Sequence, residues 1–250
     1  ETDRMEEVYD FDLMERGGHI TGYLVPEDLQ ADVCEILNTL ARPHDFVRKY
    51  DAKGKPVLLF AIGDGNHSLA AAKAAYEEKK QHTPQEQWAD LPSRYALVEL
   101  VNLHDESLEF EPIHRVCFDV DADELMKDFL AAYPGAHYGE GEGHTITYVF
   151  DTEVGKITIP KPTAQLPVGT LQDFLDQWMQ THSGRIDYVH GDDVTWELGR
   201  KPGNIGFLLP AMGKDELFKT VIFDGALPRK TFSMGEAHDK RFYLEARKIK

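Results

Sequence analysis

The chain has 250 residues and a formal charge of −17, with 42% hydrophobic and 10% aromatic residues. That length can bury a sizeable core as one large domain or two small ones, and the composition argues against intrinsic disorder. The acidic balance argues against sequence-independent nucleic-acid binding, which needs lysines and arginines to displace counterions from phosphates.

In chain order, Glu1 to Met14 reads as a short helix or an ordered lead-in, and Gly17-Gly18 as a turn. His19 to Val25 reads as a strand. Pro26, Glu27 and Asp28 start a helix to about Leu40, with Leu29, Val33, Ile36, Leu37 and Leu40 at helical spacing, and Arg42-Pro43 ends it. The apolar run Val57 to Ile62 has the length of a strand covered on both faces. Gly63-Asp64-Gly65-Asn66-His67-Ser68 then reverses the chain, because glycine admits backbone angles that other residues resist, and an alanine-rich helix follows. Tyr95 to Leu103 is the second strong strand, and Glu111 to Val120 the third. Strand and helix alternating in this way predict a layered α/β fold with a mixed or parallel sheet.

Beyond residue 120 the texture shortens. Asp121 starts a helix to about Tyr133, and residues 144–150 and 154–159 read as a β-hairpin. Thr170 is expected to cap a helix with Leu171, Phe174, Leu175, Trp178 and Met179 on one face. A strand (186–190), a helix (192–198), a strand (203–210) and a helix (214–223) follow. The expected class is α/β, in the mixed α+β sense: a core over 1–120 carrying the glycine-rich loop, and an α+β portion over 121–250 packing on it, with a flap at 227–240.

No apolar run approaches membrane-spanning length and no signal peptide is visible, so a cytoplasmic protein without a membrane partner is expected. Cys34 and Cys117 form no CxxC pattern and are read as small buried hydrophobes rather than a disulfide or a zinc site.

The loop at 63–68 holds the densest chemistry. A helix start aims unpaired N–H groups and a positive dipole end at whatever lies above it. Asn66, His67 and Ser68 add side-chain donors and Asp64 adds a carboxylate, which suits a phosphate, a carboxylate or a metal-bound phosphate. The plainer reading is a capped turn without a ligand.

Ile62-Gly63-Asp64-Gly65-Asn66-His67-Ser68 followed by the alanine-rich helix resembles the Asp-Gly-X-His-Arg loop of the ParB/sulfiredoxin superfamily, which includes the free serine kinases. Together with Phe110-Glu111-Pro112-Ile113-His114-Arg115-Val116 and the tail Leu227 to Ala237, it resembles a bacterial and archaeal family known as domain-of-unknown-function family 1015. That family extends further on the N-terminal side, so the chain is read as a C-terminal fragment. The superfamily resemblance implies a ParB/sulfiredoxin-like layered sheet, with catalysis and phosphate contacts in the loop. Asp64, Gly65 and His67 match it; Asn66 stands where His is common, and Ser68 where Arg is common. Losing that arginine removes a fixed positive charge, so a phosphate site must recruit a cation elsewhere.

Three further segments are candidates. His114-Arg115 follows Pro112 at the edge of a strand, and Arg115 could supply the missing cation. Arg229, Lys230 and Ser233 lie in a short cationic segment of an acidic protein, which suits a flap over an anionic ligand. His190 and Asp192 could hold Mg²⁺ or another hard ion, although an aspartate at this position more often simply caps the following helix.

The expectation is therefore a small-molecule phosphotransferase, acting on an amino acid such as serine, with an anionic small molecule as its partner. Asp64 would be a general base or a Mg²⁺ ligand, and His67, Ser68, Gly63, Gly65 and Asn66 would hold phosphate. His114, Arg115, Arg229, Lys230 and Ser233 would complete the substrate contacts, and a nucleotide with Mg²⁺ would be the phosphoryl donor. The alternative is a non-catalytic metabolite-binding or regulatory protein. Nucleic acid is not expected as a partner.

Overall fold

The computed structural model describes residues 2–63, 65–234 and 244–249 and shows a mixed α/β protein. The chain divides into two compact units, one of Glu1–Asn102 with Ala237–Lys250, the other Leu103–Glu236.

In the first unit, β1 (Glu6–Asp12) and β2 (His19–Leu24) form an antiparallel ribbon. The expected lead-in or helix before residue 14 is thus a strand, because Tyr9 and Phe11 meet a partner strand across the Gly17-Gly18 turn. Next come α1 (Glu27–Leu40), α2 (Pro43–Tyr50) and α3 (Asn66–Gln81). Pro43 does not only end α1; it is the first residue of α2, where a missing N–H costs nothing.

The largest correction falls on the apolar runs 57–62 and 95–101. Neither forms a strand, and Phe60, Ile62, Leu97, Val98 and Leu100 are each at least half exposed. An apolar run states a preference for burial, but a strand exists only where a neighbouring backbone accepts its hydrogen bonds. Among the described residues of this unit, only β1 and β2 find one. Cys34 is likewise exposed on α1, against the expectation of burial, whereas Cys117 is buried.

The second unit is built on β3 (Phe110–Phe118), β4 (His137–Tyr138), β5 (His144–Phe150), β6 (Glu153–Ile159), β7 (Arg185–His190), β8 (Asn204–Leu208) and β9 (Phe232–Met234). They join in the order β4-β6-β5-β8-β3-β7, with β9 on β3. Every pairing is antiparallel. A mixed or parallel sheet was the expectation from strand–helix alternation; the pairing across β3, which joins segments distant in sequence, overrides it.

One sheet face packs on α4 (Ala122–Ala132) and α5 (Pro167–Trp178). Ile146, Ile157, Ile159, Ile205 and Phe207 meet Leu125, Phe129, Leu171 and Leu175 in one core. Phe129 stacks on Phe174 at 4.6 Å and meets Phe207 edge-on at 6.3 Å, geometries aromatic rings favour. Asp121 caps α4 by accepting from the Glu124 N–H at 3.0 Å, as its sequence position predicts. Thr170 does not cap α5: the helix begins earlier, at Pro167, and Thr170 is buried within it, hydrogen-bonded through its hydroxyl to His144 Nδ1.

The opposite face carries α6 (Asp192–Gly199), which sits close on β5 and β8. A Cβ on Gly199 would fall 2.7 Å from Val149 Cγ1, and one on Gly206 would fall 3.0 Å from the Thr195 carbonyl oxygen. Two glycines thus allow backbone to approach backbone. Helix α7 (Lys214–Asp224), the last among the described residues, precedes the segment read as a flap. Of that segment, Phe232–Met234 form β9, with Phe232 stacked on Phe110 at 4.2 Å; residues 235–240 lie outside the described residues.

Candidate functional site

The first candidate is the start of α3. Gly65 precedes the helix with φ +79°, a left-handed conformation that glycine adopts without steric cost, and its carbonyl accepts from the Leu69 N–H at 2.9 Å. Asn66, His67 and Ser68 occupy the first turn and are exposed, as is Gly63 before them. No acidic side chain lies in that turn. Helix α5 shares this lack, whereas α1, α2, α4, α6 and α7 each begin with at least one Asp or Glu, which favours the positive end of the helix dipole. Asp64 lies outside the described residues.

The second candidate is in the other unit, where the fold gathers three segments far apart in sequence. Register places Arg115 of β3 opposite Tyr188 of β7, and Ile113 opposite His190. On β9, Ser233 stands opposite Glu111 of β3, and its hydroxyl lies 3.1 Å from His190 Nε2. Arg115 is fully buried. Its guanidinium donates to Gln172 Oε1 (3.0 Å) and to the carbonyls of Ile113 (2.5 Å), Lys230 (2.9 Å) and Arg229 (2.9 Å). Burial draws its pKa down to about 10, so it remains charged at neutral pH. Arg115 therefore holds the 229–230 turn by its backbone. That sets the backbone from which the exposed side chains of Arg229 and Lys230 extend, and their charged ends lie 5.3 and 5.5 Å from the Tyr188 ring centroid. Asp176 approaches Arg229 at 3.4 Å, leaving an excess of positive charge around Tyr188.

His114, next in β3, points its chemistry to the other side of the sheet. Its Nδ1 accepts from the Leu209 N–H at 3.0 Å, which places the ring proton on Nε2, 2.7 Å from Asp192 Oδ1. Burial lowers its pKa, with the Asp192 hydrogen bond acting in the opposite sense. Asp192, the first residue of α6, keeps most of its side chain in solvent. Among the described residues, no group of three or more His, Cys, Asp or Glu is placed to hold a metal ion.

A family model described as "Protein of unknown function (DUF1015)" matches residues 1–178. The chain belongs to the DUF1015 family. No curated protein and no solved structure matches it. The family match of this DUF1015 protein takes in the 63–68 loop, His114 and Arg115, and ends at the last residue of α5. His190, Asp192, Arg229, Lys230 and Ser233 lie beyond it. No helix of the described residues is long and apolar enough to cross a membrane.

Sequence reasoning named the members of the second cluster but missed Tyr188 and Gln172. No motif marks them: Tyr188 is one aromatic in a strand and Gln172 one polar residue of a helix. Only the β3–β7 register and the docking of α5 give them their parts.

Proposed function

We propose that this DUF1015 protein binds a phosphorylated or carboxylated small molecule at the start of α3 and transfers a phosphoryl group to or from it. An amino acid such as serine is the most concrete acceptor. The observation that carries the reading is the first turn of α3, which is exposed, begins at a left-handed glycine and has amide, imidazole and hydroxyl side chains with no carboxylate in the turn. Such a turn offers N–H donors and a positive dipole end to an anion. The resemblance of the loop to the ParB/sulfiredoxin superfamily and its free serine kinases supplies the reaction type, and this is analogy rather than geometry.

In this reading His67, Ser68 and the N–H groups of the turn hold phosphate, and Asp64 accepts the proton of the attacking hydroxyl. A nucleotide with Mg²⁺ would supply the phosphoryl group. Arg229 and Lys230, set on Tyr188 in the second unit, offer anions a further cationic surface. Two unpaired cysteines suit a cytoplasmic protein.

The test is a thermal-shift panel with Mg²⁺ plus ATP, ADP, pyrophosphate, serine or phosphoserine, run beside Asp64→Ala and His67→Ala. A rise in Tm with a nucleotide or phosphoserine, abolished by both variants, is expected and leads to a turnover assay. No shift with any of these ligands overturns the reading. A shift without turnover leaves a regulatory metabolite-binding protein.

A further inference from the structure

The second unit also contains a cleft of about 560 Å³ on the sheet face that carries α6. It is lined by Thr145 and Thr147 of β5, Lys156 of β6, Leu208 of β8, and Asp192 and Trp196 of α6. Glu140 and Gly141, from the loop between β4 and β5, also line it. This volume lies within the range of small-ligand sites.

We infer that this cleft binds a small organic monocation, a protonated amine on an apolar body, with Asp192 as its counter-charge. The charges decide the class. Glu140 and Lys156 form an ion pair and cancel each other. Asp192 accepts a hydrogen bond from His114, but this imidazole is buried and carries its proton on Nε2 while Nδ1 accepts from a backbone N–H. A neutral histidine orients the carboxylate without adding a positive charge, so among the charged side chains lining the cleft Asp192 has no cationic side-chain partner and is balanced only by the dipole end of α6. A sheet does not need a buried imidazole at His114; an aliphatic residue would fill the space without the cost of desolvating a polar ring. What the imidazole adds is a fixed direction for one exposed carboxylate at the cleft. Leu208, Leu209 and Pro210 supply apolar surface beside it, together with the edge of Trp196, whose ring has the Arg200 guanidinium 5.6 Å from its centroid; apolar surface next to a carboxylate favours an alkylammonium over a bare metal ion. This site is independent of the start of α3, and its failure would leave the phosphoryl reading untouched.

The test compares cyclohexylamine with cyclohexanol, a pair of similar shape differing in charge, by following the Trp196 indole N–H and the Leu209 amide N–H in ¹⁵N-labelled 250-residue chain. The amine is expected to shift both resonances saturably and the alcohol to leave them in place. Asp192→Asn, a change at an exposed position that keeps shape and removes charge, is expected to weaken amine binding at least tenfold. His114→Leu, which has no donor for Asp192, is expected to weaken it less, since the charge remains while its orientation is lost. Equal shifts from amine and alcohol, no shift from either, or undiminished binding to the Asp192→Asn protein would each overturn the proposal and leave this face as solvated sheet.

Discussion

His114 and Arg115 are neighbours in one strand and do opposite things. Arg115 faces α5 through Gln172 and collects backbone carbonyls from two segments. Replacing it by Lys removes the planar fork that reaches four acceptors, one of them the Gln172 side chain in a buried contact, and leaves part of this network unmade. Arg115→Lys is expected to cost about 2–4 kcal/mol in urea unfolding, as for other broken buried polar networks. The Tyr188 hydroxyl, by contrast, is buried with no hydrogen-bond partner among the described residues. Tyr188→Phe keeps the ring under the three cations and is expected to leave stability unchanged or raise it by up to about 1 kcal/mol. His114 sets a pH dependence. Its folded pKa lies below the ordinary 6.5, so the unfolded chain takes up a proton first as pH falls. The stability it lends is complete above pH 6.5 and is lost as pH drops from there through the folded pKa. Melting temperature should therefore fall across that window in the native protein, and fall less in His114→Gln. An equal slope in both would rule His114 out as the source.

At the scale of elements, glycines distinguish a conformational requirement from a packing one. Gly65 has φ +79° with nothing within 4 Å of the position a Cβ would take. Gly65→Ala should then cost about 1–2 kcal/mol, the backbone term alone. Gly199 is different: a Cβ there would meet Val149 Cγ1 at 2.7 Å, the Val149 carbonyl at 2.8 Å and the Gly206 N at 2.9 Å. Backbone cannot yield as a flexible side chain can, so Gly199→Ala should cost about 3 kcal/mol, at the upper end of overpacking, by moving α6 off β5 and β8. Chemical denaturation of both variants checks the order. A larger loss for Gly65→Ala would mean that the loop at 63–65 carries constraints beyond its backbone angle.

For the whole molecule, burial is unevenly divided. The buried apolar residues described in the first unit are Leu29, Phe46 and Ala52, whereas the second unit holds an extended core across α4, α5 and the sheet. Local opening costs little where few apolar contacts must be broken. Hydrogen exchange should therefore be slowest in β3, β5 and β8 and markedly faster in α1 and α3. Equal protection in α1 and β3 would show that the first unit is stabilised as strongly as the second.

The sequence by itself determined the elements whose signals are local. Asp121 announced α4, the alternation at 144–159 announced a hairpin, and Gly65 announced a reversal before an alanine-rich helix. It also named His114, Arg115, His190, Asp192, Arg229, Lys230 and Ser233, because charge and hydroxyl groups crowded into short segments are visible without a fold. Strand pairing was not determined, and the apolar runs 57–62 and 95–101 show why: hydrophobicity is a property of a segment, but a ladder is a property of two. Nor could the sequence divide His114 from Arg115. Adjacent residues of a strand face opposite sides, and only the placement of α5 on one face and α6 on the other gives one a backbone turn to hold and the other a carboxylate to aim.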